Sequence, residues 1–159
     1  MPIKPGDPVP TATFKQLTAS GIANIDTAKL LKGRKVIIFG LPGAYTPVCS
    51  ASHLPGFVAK AIELKSQGID EIACISVNDP FVMQAWGNEH DVDGKVTMLS
   101  DDGAFTKAIG LSLDLPDFGL SGRSERYSMV VDNGVVKSIN VEKSVLDHGV
   151  SSAASCMIS

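Results

Sequence analysis

Apolar runs alternate with segments that have one apolar face along the first two thirds of the chain. Three continuous apolar runs predict buried strands, at 35–39, 71–77 and 96–99. Between the first two runs, residues 50–67 carry apolar side chains at helical spacing, and Gly68 predicts the end of that helix. Asn78-Asp79-Pro80 predicts the start of a second helix, because a capping side chain comes just before a proline in the first turn. Alternating strands and helices indicate a parallel or mixed sheet.

The last third of the chain has shorter elements and more turn residues. Asp101 or Asp102 is predicted to cap a short helix, and the Gly, Pro, Ser and Asp residues within 111–123 predict a long loop. Two more strands are predicted at 127–131 and 135–141. They form a hairpin whose turn is Asp132-Asn133-Gly134. The pattern as a whole predicts an α/β fold of thioredoxin-like type, with a central mixed sheet flanked by helices on both faces.

Length and charge narrow the class of protein without identifying it. The chain has 159 residues, which suits one domain over 1–159. Its formal net charge is −3, and Lys and Arg are scattered, so we expect no nucleic-acid surface. No apolar segment approaches the roughly 20 residues that span a bilayer. The N-terminal residues have no signal-peptide pattern, so we expect a cytoplasmic protein, or an organellar one if a targeting segment was removed.

The cysteines argue against both a disulfide framework and a zinc site. There are three, Cys49, Cys74 and Cys156, and no two of them form a C-x-x-C pair. Cys49 follows a predicted buried strand and a short loop, and it precedes a predicted helix. Backbone N–H groups converge at the start of a helix and favour an anion there. Cys49 is therefore a candidate thiolate nucleophile.

Pro42-x-x-x-Thr46-x-x-Cys49 resembles the active-site signature of the peroxiredoxins. The likeness covers roughly Ile3 to Ser152 and is strongest to the type II branch, which holds the plant type II enzymes and animal peroxiredoxin-5. Further segments that resemble this branch are 39–46, 53–57, 76–82, 123–127 and 128–131. The resemblance implies a thioredoxin fold and a thiol-dependent peroxidase that acts on hydrogen peroxide and small organic hydroperoxides, with no metal and no organic cofactor.

Carried onto the matching positions, the resemblance makes Cys49 the peroxidatic cysteine, supported by Pro42, Thr46 and Arg126. The chemistry explains each choice. The Thr46 hydroxyl can accept a proton from the peroxide and donate to the thiolate, and Pro42 offers an apolar wall against water. A guanidinium near the sulfur would stabilise thiolate and transition state, and Arg126 stands where a strand begins. The alternative for Arg126 is a surface ion pair.

Two more positions in the same loop are predicted to contact the substrate, Gly43 and Val48. The amides near Val48 and Cys49 belong to the predicted helix start, where they can stabilise negative charge on the peroxide oxygen. His53 lies four residues after Cys49 and on the same helical face. We predict a structural or supporting histidine there, because two potential ligands without a second pair are weak evidence for a metal.

Recycling of an oxidised Cys49 has three open routes. Cys74 lies in a predicted buried strand, and its spacing resembles that of the plant type II enzymes; a disulfide would need the structure to loosen. Cys156 lies in the C-terminal tail, near where the animal branch has its resolving cysteine. The third route is an external thiol, namely glutathione, glutaredoxin or thioredoxin.

The alternative function is that of a redox sensor or partner-binding module, in which turnover is incidental. Such a protein would be oxidised once at Cys49 and recycled poorly by common thiols. The family commonly forms homodimers around the active-site loops. Leu113, Leu115 and Phe118 are candidate apolar contacts for such a dimer.

Overall fold

The computed structural model describes residues 2–144 and 149–153, and its centre is a large mixed sheet. The strands are β1 (Thr13–Thr18), β2 (Gly21–Asp26), β3 (Lys35–Gly40), β4 (Glu71–Ser76), β5 (Thr97–Ser100), β6 (Ser112–Leu115), β7 (Leu120–Ser124), β8 (Tyr127–Asp132) and β9 (Val135–Val141). The helices are α1 (Thr27–Leu31), a π-helical turn (Cys49–His53), α2 (Leu54–Ser66), α3 (Pro80–Glu89), α4 (Ala104–Ala108) and a 3₁₀ turn (Pro116–Phe118).

Within the residues that the structure describes, seven strands form the main sheet, in the order β2-β1-β5-β4-β3-β8-β9. The pairs β3–β4 and β4–β5 are parallel, whereas β3–β8, β8–β9 and both pairs of β1 are antiparallel. Parallel neighbours need crossover connections, and α2 and α3 supply them. The predicted thioredoxin-like mixed sheet is confirmed.

Apolar side chains cover both faces of the sheet. On one face, α2 and α3 pack over alternate residues of β3 and β4, such as Ile37, Phe39 and Ile72. On the other face, α1 and α4 pack over the intervening residues, such as Val36 and Ile38. Because a strand covered on both faces must be apolar at every position, these central strands appear in the sequence as continuous apolar runs.

The predicted central strands and the start of α3 are confirmed. Asp79 caps α3 by accepting a hydrogen bond from the Val82 amide, 2.9 Å away, and Pro80 occupies the first turn. The predicted short helix is present as α4, but its N-cap residue is Gly103 rather than Asp101 or Asp102; the Asp101 carboxylate accepts from the amides of Phe105 and Thr106 in its first turn. The closing hairpin β8–β9 turns at Asn133, whose φ is +48°, and Gly134, whose φ is +79°.

The prediction of a long loop over 111–123 is wrong. The segment contains strands β6 and β7, which pair with each other as a separate two-stranded ribbon with a 3₁₀ turn between them. The ribbon is mostly exposed on both sides, so its sequence lacks the apolar pattern that identifies a buried strand. The sequence did not predict the hairpin β1–β2 either. The hairpin lies at the edge of the main sheet, and apolar and polar residues alternate in it only over a short stretch.

Candidate active site

Cys49 lies in the first helical turns that follow the carboxyl end of β3. The helical conformation begins at Pro47, before the predicted boundary, and continues into α2 through the π-helical turn. The amide of Ser50 donates to the Thr46 carbonyl, 2.9 Å away. The amides of Val48 and Cys49 therefore lie in the first turn of the helix, where N–H groups have no acceptor within the helix. The predicted helix-start position of Cys49 is confirmed.

The π-helical turn gives Cys49 and His53 a common neighbour. The Leu54 amide donates to the carbonyl of Cys49, five positions earlier, and the turn is therefore wider than that of an α-helix. Cys49 and His53 are both fully buried, and both contact the guanidinium of Arg126. π-Helical turns occur frequently at functional sites because they re-aim a side chain within a helix.

Arg126 is a buried arginine aimed at a buried thiol. Its Nη2 donates to Cys49 Sγ at 3.2 Å, and its Nη1 donates to His53 Nδ1 at 3.0 Å. The residue is only 2 % exposed, so the alternative of a surface ion pair is wrong. The guanidinium places a positive charge beside the sulfur, and the apolar surroundings strengthen its attraction for negative charge.

The hydrogen bonds of His53 determine its tautomer. Arg126 can only donate, so the facing Nδ1 of His53 accepts and carries no proton. The second nitrogen, Nε2, then carries the proton and donates to the carbonyl of Ser151, 3.1 Å away. The rings of Phe39 and Phe57 stack at 4.1 Å and lie against the imidazole. His53 is thus the supporting residue that its spacing predicted.

Thr46 and Pro42 lie in the loop that leads into Cys49. The Thr46 hydroxyl donates to the Gly43 carbonyl at 2.7 Å. Since a hydroxyl has one proton, its lone pairs remain as acceptors, whereas the predicted donation from Thr46 to the thiolate is not present in this geometry. The Pro42 carbonyl accepts from Arg123 Nη1 at 3.3 Å, which ties the loop to β7.

A cavity of about 310 Å³ opens at the loop that leads into Cys49, with Arg126 in its lining and the fully buried Cys49 outside it. Its lining is almost wholly apolar, and Arg126 supplies a guanidinium; the lining residues are Pro42, Tyr45, Thr46, Pro47, Val48, Leu115, Phe118, Leu120 and Arg126. The structure therefore brings together Pro42, Thr46, Val48 and Arg126, as the sequence predicted. Gly43 is buried in the loop and is not part of this lining.

Cys74 is buried in the middle of the sheet. It lies on β4 directly beside Phe39, with none of its side chain exposed. Burial raises the pKa of the Cys74 thiol well above its usual range; the nearby Cys49 raises it further, and Arg126 acts in the opposite direction. Cys49 and Cys74 are both free thiols. Cys156 lies outside the described residues.

Several residues that shape the site could not be identified from the sequence. Asn78 accepts from the Ala44 amide at 2.9 Å and from the Ser76 hydroxyl at 2.7 Å, so it fixes the active-site loop from the end of β4. Arg123 and Ser151 approach from distant parts of the chain. For Asn78 the one signal was its position after a buried strand, where ligands collect in α/β folds.

This arrangement, a thiol at the carboxyl end of a central strand in a thioredoxin-like sheet, defines the redoxin class of proteins. The Redoxin family matches residues 4–155 of the chain. Peroxiredoxin-2D of Arabidopsis thaliana is 48 % identical over 143 residues, which cover 89 % of this chain and 88 % of that protein. Peroxiredoxin-2E of the same plant, a chloroplastic protein, is also 48 % identical, over 89 % of this chain and 62 % of its own length.

Solved structures agree with the sequence relatives. Reduced Prx3 of Vibrio vulnificus in complex with hydrogen peroxide has a TM-score of 0.90 and 44 % identity, covering 98 % of this chain and 99 % of that one. Peroxiredoxin 5 of Alvinella pompejana has a TM-score of 0.80 and 36 % identity, covering 91 % and 94 %. The chain belongs to the peroxiredoxin family, in its type II branch, and it is accordingly a thiol-dependent peroxidase. In the part of the chain that the structure describes, no helix is long and apolar enough to cross a membrane.

Proposed function

We propose that Cys49 is the peroxidatic nucleophile and that Arg126, Thr46 and Pro42 complete the catalytic site. The observation that carries the proposal is the 3.2 Å contact from Arg126 Nη2 to Cys49 Sγ, because the same Arg126 also lines an apolar cavity. A buried guanidinium that contacts the sulfur stays in place and can stabilise negative charge as it moves from sulfur to oxygen. The apolar wall of Pro42 keeps competing water away.

The reaction is a displacement at oxygen. The Cys49 thiolate attacks one oxygen of the peroxide, a sulfur–oxygen bond forms and the oxygen–oxygen bond breaks. The second oxygen leaves with the bonding pair and takes up one proton, which balances the proton that the Cys49 thiol released on ionising, so a hydroperoxide ROOH yields ROH and a Cys49 sulfenic acid. The lone pairs of Thr46 hold the peroxide O–H, while Arg126 and the amides of the first helical turn stabilise charge on the leaving oxygen. Val48 and the other apolar residues of the cavity suit the alkyl group of a small organic hydroperoxide.

The test compares two buried cysteines. Cys49→Ser is expected to abolish peroxide consumption in the presence of dithiothreitol, whereas Cys74→Ser is expected to keep most of the activity. Both variants lose one buried sulfur, so Cys74→Ser controls for the effect of the substitution on folding. Retention of peroxidase activity by a folded Cys49→Ser variant would show that another group performs the chemistry.

We also propose that an external thiol reduces the oxidised Cys49, with glutathione, glutaredoxin or thioredoxin as the reductant class. Its support is the position of Cys74, which is fully buried on β4 and has a raised pKa. Reduced protein treated with one equivalent of hydrogen peroxide is expected to gain one oxygen at Cys49. A loss of two hydrogens, with a mapped bridge from Cys49 to Cys74 or Cys156, would instead assign an internal resolving cysteine.

A homodimer through the rim of the cavity is the proposed assembly. Phe118 is 66 % exposed and Tyr45 is 47 % exposed, and both line the cavity together with Leu115. Apolar side chains that a monomer leaves in water are typical of an interface. Sedimentation velocity is expected to show a dimer that Phe118→Asp weakens. The control is Phe81→Asp, at a phenylalanine on α3 that is 60 % exposed. A monomer at high concentration would refute this assembly.

The cellular role proposed here is the removal of peroxides in the cytoplasm, as part of redox homeostasis. Curated relatives in plants include chloroplastic proteins, such as Peroxiredoxin-2E of Arabidopsis thaliana, alongside proteins named without a compartment. Fractionation of cells that express the native gene, with detection of the endogenous protein, is expected to find it in the cytoplasmic fraction. Recovery of the protein in an organelle fraction would contradict the proposed cytoplasmic location.

A further inference from the structure

The last described segment of the chain is fastened to the end of β9 by one carboxylate. Glu142 Oε2 accepts from the amides of Gly149 and Ser151, at 2.9 Å and 2.8 Å. It also accepts from the Ser151 hydroxyl at 2.5 Å. Glu142 is only 7 % exposed and Ser151 is fully buried. A buried carboxylate with three donors on one oxygen is a strong and direction-specific anchor.

Two hydrogen bonds connect the anchored Ser151 to the guanidinium of Arg126. The anchored Ser151 presents its carbonyl to His53 Nε2, and His53 presents Nδ1 to Arg126 Nη1. Arg126 in turn contacts Cys49 through Nη2. Glu142 is also next to Arg126 in the backbone, since the Glu142 amide donates to the Arg126 carbonyl at 2.9 Å.

The role of Ser151 follows from the two possible tautomers of His53. With the proton on Nε2, the ring accepts from Arg126 and donates to Ser151. With the proton on Nδ1, an N–H would face the N–H of Arg126, and the Nε2 lone pair would face the Ser151 carbonyl oxygen. The Ser151 carbonyl and the Arg126 guanidinium therefore favour the same tautomer of His53, and when the carbonyl is displaced the other tautomer loses one of its two unfavourable contacts.

We propose that Glu142 is a remote positioning residue of the peroxidase site, which acts by anchoring Ser151 and thereby setting the tautomer of His53 and the direction of Arg126. This inference rests on the proposed roles of Cys49 and Arg126. It adds a residue that contacts neither substrate nor sulfur. It also makes the position of the C-terminal segment a determinant of the reaction of Cys49 with peroxide.

The test measures two properties of Glu142→Ala in the full-length protein. The first is the rate at which one equivalent of hydrogen peroxide oxidises Cys49, followed by rapid quenching and mass mapping. We expect a decrease of about tenfold, the lower end of what loss of an outer supporting partner costs. The second is the ¹⁵N spectrum of the imidazole rings, in which the wild type shows His53 as a single Nε2–H tautomer. Glu142→Ala is expected to show a mixture.

Three more variants make the result specific. Glu142→Gln keeps an oxygen that can accept, so it is expected to restore part of both the rate and the tautomer. Ser151→Ala removes one of the three donors and gives a smaller loss of rate, which keeps the test available if Glu142→Ala does not fold. Glu71→Ala removes another partly buried glutamate, paired with Arg34, and is expected to change neither property.

The outcomes separate the inference from the function it rests on. If Cys49→Ser is inactive while Glu142→Ala, or Ser151→Ala in its place, keeps the wild-type rate and a single His53 tautomer, Glu142 has no positioning role. A slower rate with an unchanged tautomer likewise overturns the proposed route through His53. If Cys49→Ser keeps its activity, the proposed nucleophile itself is wrong.

Discussion

At the scale of single residues, the site depends on a charged group that almost no water reaches. Arg126 is 2 % exposed and divides its donors between Cys49 and His53. A guanidinium can contact two partners because its N–H groups form a rigid planar fork. An ammonium on a flexible stem cannot hold the same two directions at once.

Arg126→Lys is therefore expected to impair catalysis although it keeps the charge. Loss of the two-point geometry should lower kcat/KM for hydrogen peroxide by about 100-fold, the magnitude typical of a removed transition-state donor. Stopped-flow measurement of peroxide consumption checks this. Arg34→Lys, which alters a half-exposed arginine paired with Glu71, should leave kcat/KM unchanged. Equal activity of Arg126→Lys and wild type would show that charge alone is sufficient.

Cys74 is expected to be far less reactive than its position near Cys49 suggests. Burial raises the pKa of Cys74 well above the usual thiol value, so little thiolate exists at neutral pH, and the side chain is inaccessible to reagents. Iodoacetamide at pH 7.5 should alkylate Cys74 only after denaturation in urea, as peptide mapping will show. Rapid alkylation of Cys74 in the folded protein would mean that β4 opens readily.

At the scale of elements, β3 carries Cys49 to its place and packs closely against β8. Gly40, the last residue of β3, faces Tyr127 of β8 in the register of the two strands. A Cβ atom at Gly40 would lie 2.2 Å from Cε1 of the fully buried Tyr127 ring. The glycine is thus needed for close approach, and the ring fills the space that a side chain would occupy.

Gly40→Ala is expected to destabilise the protein by about 1–3 kcal/mol, the usual range for inserting a methyl group into a packed core. The measurement is the free energy of unfolding from urea titration. A control is Gly149→Ala, at which a Cβ would meet nothing within 4 Å. If the two variants have equal stability, the Tyr127 ring moves aside at little cost.

The elements that could be predicted from the sequence are those whose burial is one-sided or complete. β3, β4 and α3 have strong patterns because burial determines the residue type at each position. β6 and β7 pair with each other away from the main core, so backbone hydrogen bonds define them and their side chains give little signal.

The candidate site shows the same division. Pro42, Thr46, Cys49 and Arg126 could be predicted as site candidates because the proposed chemistry needs these residue types and because their spacing resembles a known family. The partnership of His53 with Ser151 depends on contacts across 98 positions of sequence, which no local pattern encodes.

At the scale of the whole molecule, we propose that the chain is one domain. The main sheet runs without interruption from β2 at one edge to β9 at the other, and helices cover both of its faces. Such a structure is expected to unfold in one cooperative transition. Fluorescence of Trp86 on α3 and far-UV circular dichroism should therefore give the same midpoint in urea. Two separate midpoints would contradict the single domain.

The hydrogen bonds of Glu142 make the stability of the folded protein depend on pH. Burial acts to raise the pKa of Glu142, but its hydrogen bonds from Ser151, Gly149 and Val150 outweigh burial and hold the pKa below the ordinary value of 4.5. A carboxyl group whose pKa is lowered by folding binds its proton more readily in the unfolded chain. Its contribution to stability is therefore complete above pH 4.5 and is lost as the pH falls through the lower folded value.

Glu142→Gln separates this contribution from the others, because a neutral amide has the shape of a protonated carboxyl group. At pH 7 the variant should be less stable than the wild type by about 1–3 kcal/mol, the value of hydrogen bonds to a charged group. At pH 3 the difference should shrink, since the unfolded wild-type chain then binds a proton at Glu142 more readily than the folded protein does. Urea titrations at both values measure it, with Glu63→Gln on the exposed side of α2 as a control. A difference that stays constant from pH 7 to pH 3 would mean that the charge of Glu142 does not stabilise the fold, and that the shape of its side chain alone holds Ser151 in contact with His53.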